Sequence, residues 1–271
     1  MKKSILKKFS LKNKKAFVFG GCGLIGKEIT KTFVEAGAKT LVFDTNLKIG
    51  KLLEKKYDNL NFKFIRSDTS DLKKIDVKFN NFIKKYGCPD IFVNCSYPIT
   101  KDWAQSTFQK NTLKSLKKNV EIHLDSYVWW SHKICREMKK RKIKGSVVLF
   151  SSIYGVLGQN LNIYKNTSIS ENMNYSVIKG GITNFSKQLA SYYGKDGIRI
   201  NSICPGGILG HVKGSSKKQS KKFIKNYSEN CPLSRLGTPE EVALSGLFLS
   251  SNASSYITGT SFMVDGGWSA I

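Results

Sequence analysis

A tyrosine and a lysine stand four positions apart, Tyr175 and Lys179, in the segment NYSVIKGG. Residues at this spacing lie on one face of an α-helix, one turn from each other. A free tyrosine has a pKa of about 10, so it is a weak base at neutral pH. A neighbouring ammonium favours the phenolate. The spacing is therefore typical of a phenol prepared for proton transfer, although a surface pair would have the same spacing.

A glycine-rich turn near the start of the chain has the form of a phosphate-binding loop. In the segment FVFGGCGLIGKEI, Gly20, Gly23 and Gly26 follow an apolar run and open a helical pattern. Glycine lets the backbone turn tightly and approach a pyrophosphate, whose charge is favoured by a helix N-terminus. This order of strand, turn and helix predicts a dinucleotide ligand.

Polar residues at the ends of later strands could complete the dinucleotide site. Asp44 ends the second apolar run, 18 residues after Gly26. A carboxylate there accepts hydrogen bonds from both adenosine ribose hydroxyls and repels a 2′-phosphate, which favours NAD over NADP. Nearby lysines weaken that exclusion. Asp68 could accept from the adenine amino group, and Asn94 and Cys95 stand where a strand end would pass the ribose; each could also be a turn or core residue.

Seven short apolar runs, rich in β-branched and aromatic residues, predict seven strands. Most intervening segments have helical spacing; in the first, Ile25, Ile29, Phe33 and Ala36 share a face. Strands alternating with helices predict an α/β fold with a mostly parallel sheet covered on both faces. We find no internal repeat or long linker, so one domain over residues 1–271 is expected. The predicted strands cover residues 15–20, 39–44, 61–68, 90–95, 145–152, 198–206 and 261–267.

Two inserts interrupt this alternation. Residues 158–172 are polar and have no clear period, and residues 210–232 are basic with a short helical pattern. Long polar loops beside the carboxyl edge of a sheet often contact substrate. We expect both inserts to be substrate loops, with plain surface excursions as the alternative.

The chain carries 45 lysine and arginine residues against 19 aspartate and glutamate residues, a formal net charge of +26. Such a charge can attract nucleic acid, an acidic membrane surface or an anionic substrate. The lysines are spread over nearly every segment without a nucleic-acid-binding motif, which favours a solvated lysine-rich surface. We therefore expect no nucleic-acid or membrane partner, and an anionic small-molecule substrate stays open.

Cysteine usage and the amino-terminal segment bear on the compartment. The six cysteines are far apart and form no CxxC pair, which predicts reduced thiols and no metal site. The basic start is followed by no apolar h-region, and no apolar run approaches the roughly 20 residues that span a bilayer. A cytoplasmic protein is expected.

Taken as an ordered set, the motifs resemble those of the short-chain dehydrogenases/reductases from about Lys14 to Ile271. The resemblance implies a Rossmann-type, doubly wound domain that transfers a hydride between a nicotinamide and a secondary alcohol or ketone. Several segments are similar to a bacterial subgroup associated with flagellin and surface-glycan sugar synthesis in nonulosonate pathways, which suggests a sugar or phosphosugar substrate. The matching motifs are GGCGLIG, Asp44, DIFVNCS, LFSSIYG, YSVIK, CPGGI and YITGTSFMVDGGW.

The resemblance also implies roles for single residues. Tyr175 would transfer the proton, Lys179 would hold the nicotinamide ribose and support the phenolate, and Ser152 would hydrogen-bond the substrate oxygen. The cofactor contacts that it implies are Gly20, Cys22, Gly23, Leu24, Ile25, Gly26, Asp44, Asp68, Thr69, Asn94, Cys95, Tyr175, Lys179, Pro205, Gly206 and Ile208.

Three departures from the family pattern affect the site. Phe19 and Leu24 stand where the glycine motif usually has threonine and glycine, and NCS replaces asparagine, alanine and glycine. His123 stands where the family commonly has an asparagine that anchors a proton-relay water. Histidine can hold a water and titrates near a pH of about 6.5. His123 could therefore serve a relay or merely pack in its helix.

Two other functions remain open at this stage. GGCGLIG is also similar to sugar-nucleotide epimerases and dehydratases, although the modest length and the carboxyl-terminal motifs favour a dehydrogenase. A non-catalytic NAD-sensing or nucleic-acid-binding protein could keep the fold. The helices containing Tyr127, Trp129, Trp130 and Tyr175 carry more apolar surface than one layer needs, so a homodimer or homotetramer is expected.

Overall fold

The computed structural model describes residues 3–58, 60–210 and 219–271, and seven parallel strands form its centre. Each predicted strand is confirmed, with ends shortened by one to three residues in most cases because the chain leaves the sheet to form loops. The strands are β1 Lys15–Phe19, β2 Lys39–Asp44, β3 Phe62–Arg66, β4 Ile91–Asn94, β5 Ser146–Phe150, β6 Arg199–Pro205 and β7 Ser261–Val264.

The sheet order is β3-β2-β1-β4-β5-β6-β7. The chain runs outward from β1 to β3, then crosses back to place β4 on the other side of β1. At this crossing, Phe19 pairs with Phe43 on one side and with Asn94 on the other. Helices diverge from the carboxyl ends of β1 and β4, which opens a crevice there. The Rossmann-type, doubly wound prediction is confirmed, and every pairing among the described strands is parallel.

Helices cover both faces of the sheet. Continuous apolar runs such as Phe17–Phe19 are buried on both sides because neighbouring strand residues point to opposite layers. One layer packs Ile29 and Phe33 against Leu249; the other surrounds Trp130. The helices are α1 Lys3–Phe9, α2 Leu24–Glu35, α3 Leu47–Lys56, α4 Ile75–Tyr86, α5 Leu113–Asn119, α6 Ser126–Lys140, α7 Met173–Tyr193, α8 Lys221–Glu229 and α9 Pro239–Ser250.

The sequence predicted more aromatic surface on α6 than the core needs, but most of that surface is buried in the core. Tyr127 and Trp130 are each 1% exposed, and the indole N–H of Trp130 donates to the backbone oxygen of Thr69 at 2.8 Å. Trp129 differs, because its side chain is 45% exposed. Core packing therefore explains Tyr127 and Trp130, and of the three aromatic residues only Trp129 is left as surplus surface.

The described helices include none with the length and apolar character needed to cross a bilayer. The basic insert begins outside a helix and ends around α8, so its predicted short helix is confirmed at Lys221–Glu229. Residues 211–218 of that insert lie outside the described residues. The 158–172 insert contains a single-turn helix, Leu161–Tyr164, and Ile163 anchors it by being buried.

Candidate active site

A cleft of about 710 Å³ lies at the carboxyl ends of β1, β2, β4, β5 and β6. It brings together nearly all residues that the sequence predicted as cofactor contacts. Asn94 is the exception in that set, since its side chain does not line the cleft. Ser152 and His123, predicted for the chemistry, are also absent from the lining. The predicted residues that line it are Gly20, Cys22, Gly23, Leu24, Ile25, Gly26, Asp44, Asp68, Thr69, Cys95, Tyr175, Lys179, Pro205, Gly206 and Ile208.

The turn after β1 has no room for side chains at two of its glycines. A Cβ on Gly26 would lie 2.0 Å from the backbone oxygen of Gly20. Gly20 has φ +74°, and a Cβ there would lie 2.5 Å from the Cα of Ser96. Gly23 precedes α2 and provides no side-chain cap, so within the described part of the chain the first amides of that helix receive no side-chain acceptor. A turn of this shape fits the pyrophosphate of a dinucleotide.

Asp44 is held where β2 ends by two backbone amides. Its Oδ2 accepts from the N–H of Cys22 at 2.9 Å, and its Oδ1 accepts from the N–H of Asn46 at 2.9 Å. The first bond ties the carboxylate to the glycine-rich turn, and the second ties it to the start of α3. The carboxylate is thus oriented at the cleft wall before any ligand contacts it.

The other predicted cofactor residues differ in their surroundings. Asp68 lies at the cleft, where its Oδ1 accepts from the amide and hydroxyl of Ser70 at 2.9 and 2.7 Å. Asn94 is 1% exposed, and its Oδ1 accepts from the amide and hydroxyl of Ser96 at 3.2 and 2.7 Å. Asn94 therefore shapes the turn beneath the cleft. The Cys95 thiol donates to the backbone oxygen of Phe19 at 3.0 Å and so joins β1 to this turn.

Tyr175 and Lys179 lie one turn apart near the start of α7, as the spacing predicted. The Nζ of Lys179 lies 5.6 Å from the centre of the Tyr175 ring and donates to the backbone oxygen of Phe150 at 2.9 Å. Ser152 lies two residues after the end of β5, and its Oγ accepts from the N–H of Tyr154 at 3.2 Å. The Ser152 hydroxyl lies near enough to Tyr175 to lower the pKa of the phenol, so it belongs to the same group.

Burial dominates the ionisation of this group. Burial raises the pKa of Tyr175, and the nearby Ser152 hydroxyl offsets that rise only in part. Burial also lowers the pKa of Lys179 to about 7. The expected depression of the phenol pKa by its neighbouring lysine is therefore not a property of the protein by itself. A positive nicotinamide at the cleft would favour the phenolate by charge.

His123 lies inside a π-helical turn, Val120–Asp125, between α5 and α6. Its ring is fully buried, and neither ring nitrogen has a hydrogen-bond partner among the described residues. The ring packs against Tyr97 and Tyr127 at centroid distances of 5.3 and 5.4 Å. Burial holds the pKa of His123 well below its usual value, with a smaller contribution from Lys179. The imidazole is therefore neutral and lies behind the cleft.

Sequence reasoning missed an aromatic wall, which consists of Tyr97, Trp103 and Tyr154. Their ring centres lie 6.1, 6.3 and 6.4 Å from that of Tyr175. The Tyr154 hydroxyl is buried and has no partner among the described residues. Tyr97 directly follows the NCS departure and lines the cleft. Its position just after a strand end was the available signal.

The fold and this site define a class of dinucleotide-dependent oxidoreductases. A family model described as Enoyl-(Acyl carrier protein) reductase matches residues 23–269. The chain belongs to the short-chain dehydrogenase/reductase family, whose members act on CH–OH or C=O groups. The resemblance stated from the sequence is confirmed.

Three similar proteins match over almost their full length. Post-translational flagellin modification protein A of Campylobacter coli is 29% identical over 95% of this chain and 99% of its own. The 3-oxoacyl-(acyl-carrier-protein) reductase FabG of Chlamydia muridarum is 34% identical, covering 95% and 98%. A crystal structure of a short chain dehydrogenase from Leptospira borgpetersenii with bound NAD+ has a TM-score of 0.82 and 29% identity, covering 99% and 96%.

Proposed function

We propose that this protein is an NAD-dependent oxidoreductase that interconverts a secondary alcohol and a ketone on a sugar or phosphosugar. The observation that carries the proposal is the joint position of Tyr175, Lys179 and Ser152 beside a dinucleotide-shaped cleft. Bound NAD supplies the hydride acceptor or donor at its nicotinamide. The protein holds that ring, the substrate carbon and a proton-transfer group in one orientation.

The side chains after β5 and at the start of α7 have separate roles in proton transfer. Ser152 hydrogen-bonds the substrate oxygen and stabilises the charge that develops on it. The phenol oxygen of Tyr175 gives a proton to that oxygen in reduction and takes one from it in oxidation. Lys179 is fixed by the Phe150 carbonyl on the same face of α7, where its ammonium would bind the nicotinamide ribose.

The carboxylate of Asp44 supports a preference for NAD. It faces the cleft from the end of β2, between the glycine-rich turn and α3, where the adenosine ribose lies in folds of this kind. A 2′-phosphate would meet that negative charge. The bound NAD+ in the Leptospira dehydrogenase agrees with this preference.

A carbohydrate substrate is supported by the surroundings of Tyr175 and by one relative. The aromatic wall surrounds Tyr175, and its member Tyr97 lines the cleft. The 158–172 insert, which we propose as a substrate loop together with 210–232, carries amide side chains. Such a mixture of aromatic faces and a few polar groups is common in small-molecule sites. The flagellin modification protein A points to surface-glycan chemistry, and the net charge of +26 suits an anionic sugar.

A second candidate is the reduction of a 3-oxoacyl thioester. It is favoured by the 34% identity to the Chlamydia muridarum reductase over almost the whole of both chains.

We also propose a cytoplasmic homodimer or homotetramer, supported by exposed apolar side chains on α6 and α7, Trp129 at 45% and Val177 at 47%.

A substrate panel tests the proposal directly. Phosphosugars, nucleotide sugars, polyols and acetoacetyl thioesters are offered with NAD+ or NADP+, or with the reduced forms, and the absorbance of the reduced cofactor is followed. The proposal expects net turnover of a sugar with an NAD preference. Turnover of the thioester alone would establish the second candidate, and epimerisation without net cofactor change would contradict both.

A further inference from the structure

Asn172 immediately precedes the helix that carries Tyr175, and its side-chain oxygen caps that helix. Its Oδ1 accepts from the backbone N–H of Tyr175 at 2.9 Å. The first helical residue, Met173, donates its N–H to the backbone oxygen of Ser106 at 2.8 Å. Two of the amides that a helix start leaves free are thus satisfied, and the backbone of Tyr175 is fixed directly by Asn172.

The other end of the same amide holds part of the aromatic wall. The Nδ2 of Asn172 donates to the backbone oxygen of Trp103 at 2.9 Å. The indole of Trp103 is half-buried and stands edge-on to the rings of Tyr97 and Tyr175, with centroid distances of 5.8 and 6.3 Å. One side chain therefore bonds both the residue proposed for proton transfer and a residue of the wall beside it.

The backbone of Asn172 closes the base of the 158–172 insert. Its N–H donates to the Oε1 of Gln159 at 3.1 Å, and its carbonyl accepts from the Nε2 of Gln159 at 2.8 Å. The same Nε2 also donates to the hydroxyl of Ser176 at 2.9 Å. Both backbone groups and both side-chain polar atoms of Asn172 are thus bonded, and they connect the insert, the Trp103 segment and α7.

We propose that Asn172 is a positioning residue that sets the aromatic wall and the insert relative to the Tyr175 hydroxyl, so that substrate binding and proton transfer share one geometry. The proposal rests on the proposed function of Tyr175. Reacting groups must be held to within about 0.5 Å, and small misplacements can cost up to about 100-fold in rate. A single amide joining both partners supplies that constraint.

The residue type makes the proposal separable from ordinary helix capping. Serine and aspartate also cap helices through a side-chain oxygen. An aspartate has no N–H to give to the Trp103 carbonyl, and a serine hydroxyl is too short to serve both partners. Asn172→Ser and Asn172→Asp should therefore keep the cap on the Tyr175 N–H and lose the bond to the Trp103 carbonyl. Asn172→Ala should lose both bonds.

The test combines kinetics with amide hydrogen exchange of the full-length variants. For a substrate turned over by the wild type, Asn172→Ser and Asn172→Asp should raise the substrate KM about 10-fold, keep kcat within about threefold and leave the KM for NAD+ unchanged. Exchange in peptides covering residues 100–111 should become faster. Asn172→Ala should in addition lower kcat about 10-fold or more.

The matched control is Asn252→Ser, the same substitution at an exposed asparagine that follows α9, outside both inserts and outside the cleft lining. It should leave KM and the exchange of residues 100–111 unchanged. Wild-type KM and exchange in both Asn172→Ser and Asn172→Asp, or the same shifts in Asn252→Ser, would overturn the proposal. If the wild type turns over nothing in the panel, the proposed function fails, and the exchange measurement still decides whether Asn172 holds the Trp103 segment.

Discussion

The Lys179 ammonium lies over the ring of Tyr175, 5.6 Å from its centre, and its direct hydrogen-bond acceptor is the backbone oxygen of Phe150. The two side chains share a helix face, as a spacing of four residues requires. The ammonium thus lies beside the ring and gives its hydrogen bond to the backbone instead of the phenol oxygen. Burial of both groups works against ionisation. In the proposed function, a positively charged nicotinamide would favour the phenolate.

Removing the charge of Lys179 should change how stability depends on pH. Burial lowers the pKa of Lys179 from its ordinary value of 10.5 to about 7 in the folded protein, so the unfolded chain holds more protons between these values. Stability contributed by this group therefore rises as pH increases from 7 to 10.5. We expect the difference in unfolding free energy between the wild type and Lys179→Met to shift in favour of the wild type over that range, measured by urea denaturation.

The control for that measurement is Lys187→Met, an exposed lysine on the same helix. The difference in unfolding free energy between Lys187→Met and the wild type should stay constant between pH 7 and pH 10.5. Equal slopes for the two variants would show that Lys179 is not desolvated in solution.

Replacing His123 should have its effect at lower pH. The pKa of His123 lies well below 6.5 in the folded protein because the ring is buried, so the unfolded chain binds the proton first as pH falls. Stability from this site is present above about pH 6.5 and is lost towards pH 5. The melting temperature of His123→Asn should therefore depend less on pH between pH 7.5 and 5 than that of the wild type. His132→Asn changes a more accessible histidine whose pKa burial lowers less, so it should reduce the pH dependence less. Identical profiles for wild type and His123→Asn would contradict this account.

Changing Asp44 should alter the choice of cofactor. Asp44→Asn removes the charge that would repel a 2′-phosphate and the ideal acceptor for the ribose hydroxyls. We expect kcat/KM for NAD+ to fall about 10-fold or more. The ratio of kcat/KM for NAD+ to kcat/KM for NADP+ should fall by more than that. Asp68→Asn, at the same cleft, should leave this ratio unchanged. A wild-type ratio in Asp44→Asn would remove the basis for the NAD preference.

Adding a methyl group at Gly26 should damage the cofactor loop. The new Cβ would lie 2.0 Å from the Gly20 oxygen, a contact that backbone atoms cannot relieve without moving the turn. Gly26→Ala should weaken NAD+ binding more than 10-fold in calorimetry. Gly194→Ala is the matched control, because a Cβ there meets nothing within 4 Å. Equal affinities in the two variants would show that the turn adapts.

The strands and the cofactor cleft were predictable because they follow from local patterns. Runs such as KAFVF and KTLVFD leave no choice but burial on both faces, and their parallel ends must then meet at one edge. Glycines at fixed offsets from such a strand mark the turn. These features depend on residues close together in sequence.

What sequence reasoning missed depends on distant contacts. Nothing near Trp103 indicates that its carbonyl meets Asn172, 69 positions later. The π-helical turn around His123 keeps an ordinary helical pattern, so its extra residue has no sequence signal. Tyr127 and Trp130 could not be assigned to core or interface before the sheet fixed which side of α6 faces inward.

The central claim is tested most directly by Tyr175→Phe, measured with a substrate that the wild type oxidises. The change removes one oxygen and keeps the ring within the aromatic wall. We expect turnover to fall by about 1,000-fold or more while NAD+ affinity from calorimetry stays within about twofold of the wild type. Wild-type turnover in Tyr175→Phe would contradict the account, because no proton could then pass through this phenol.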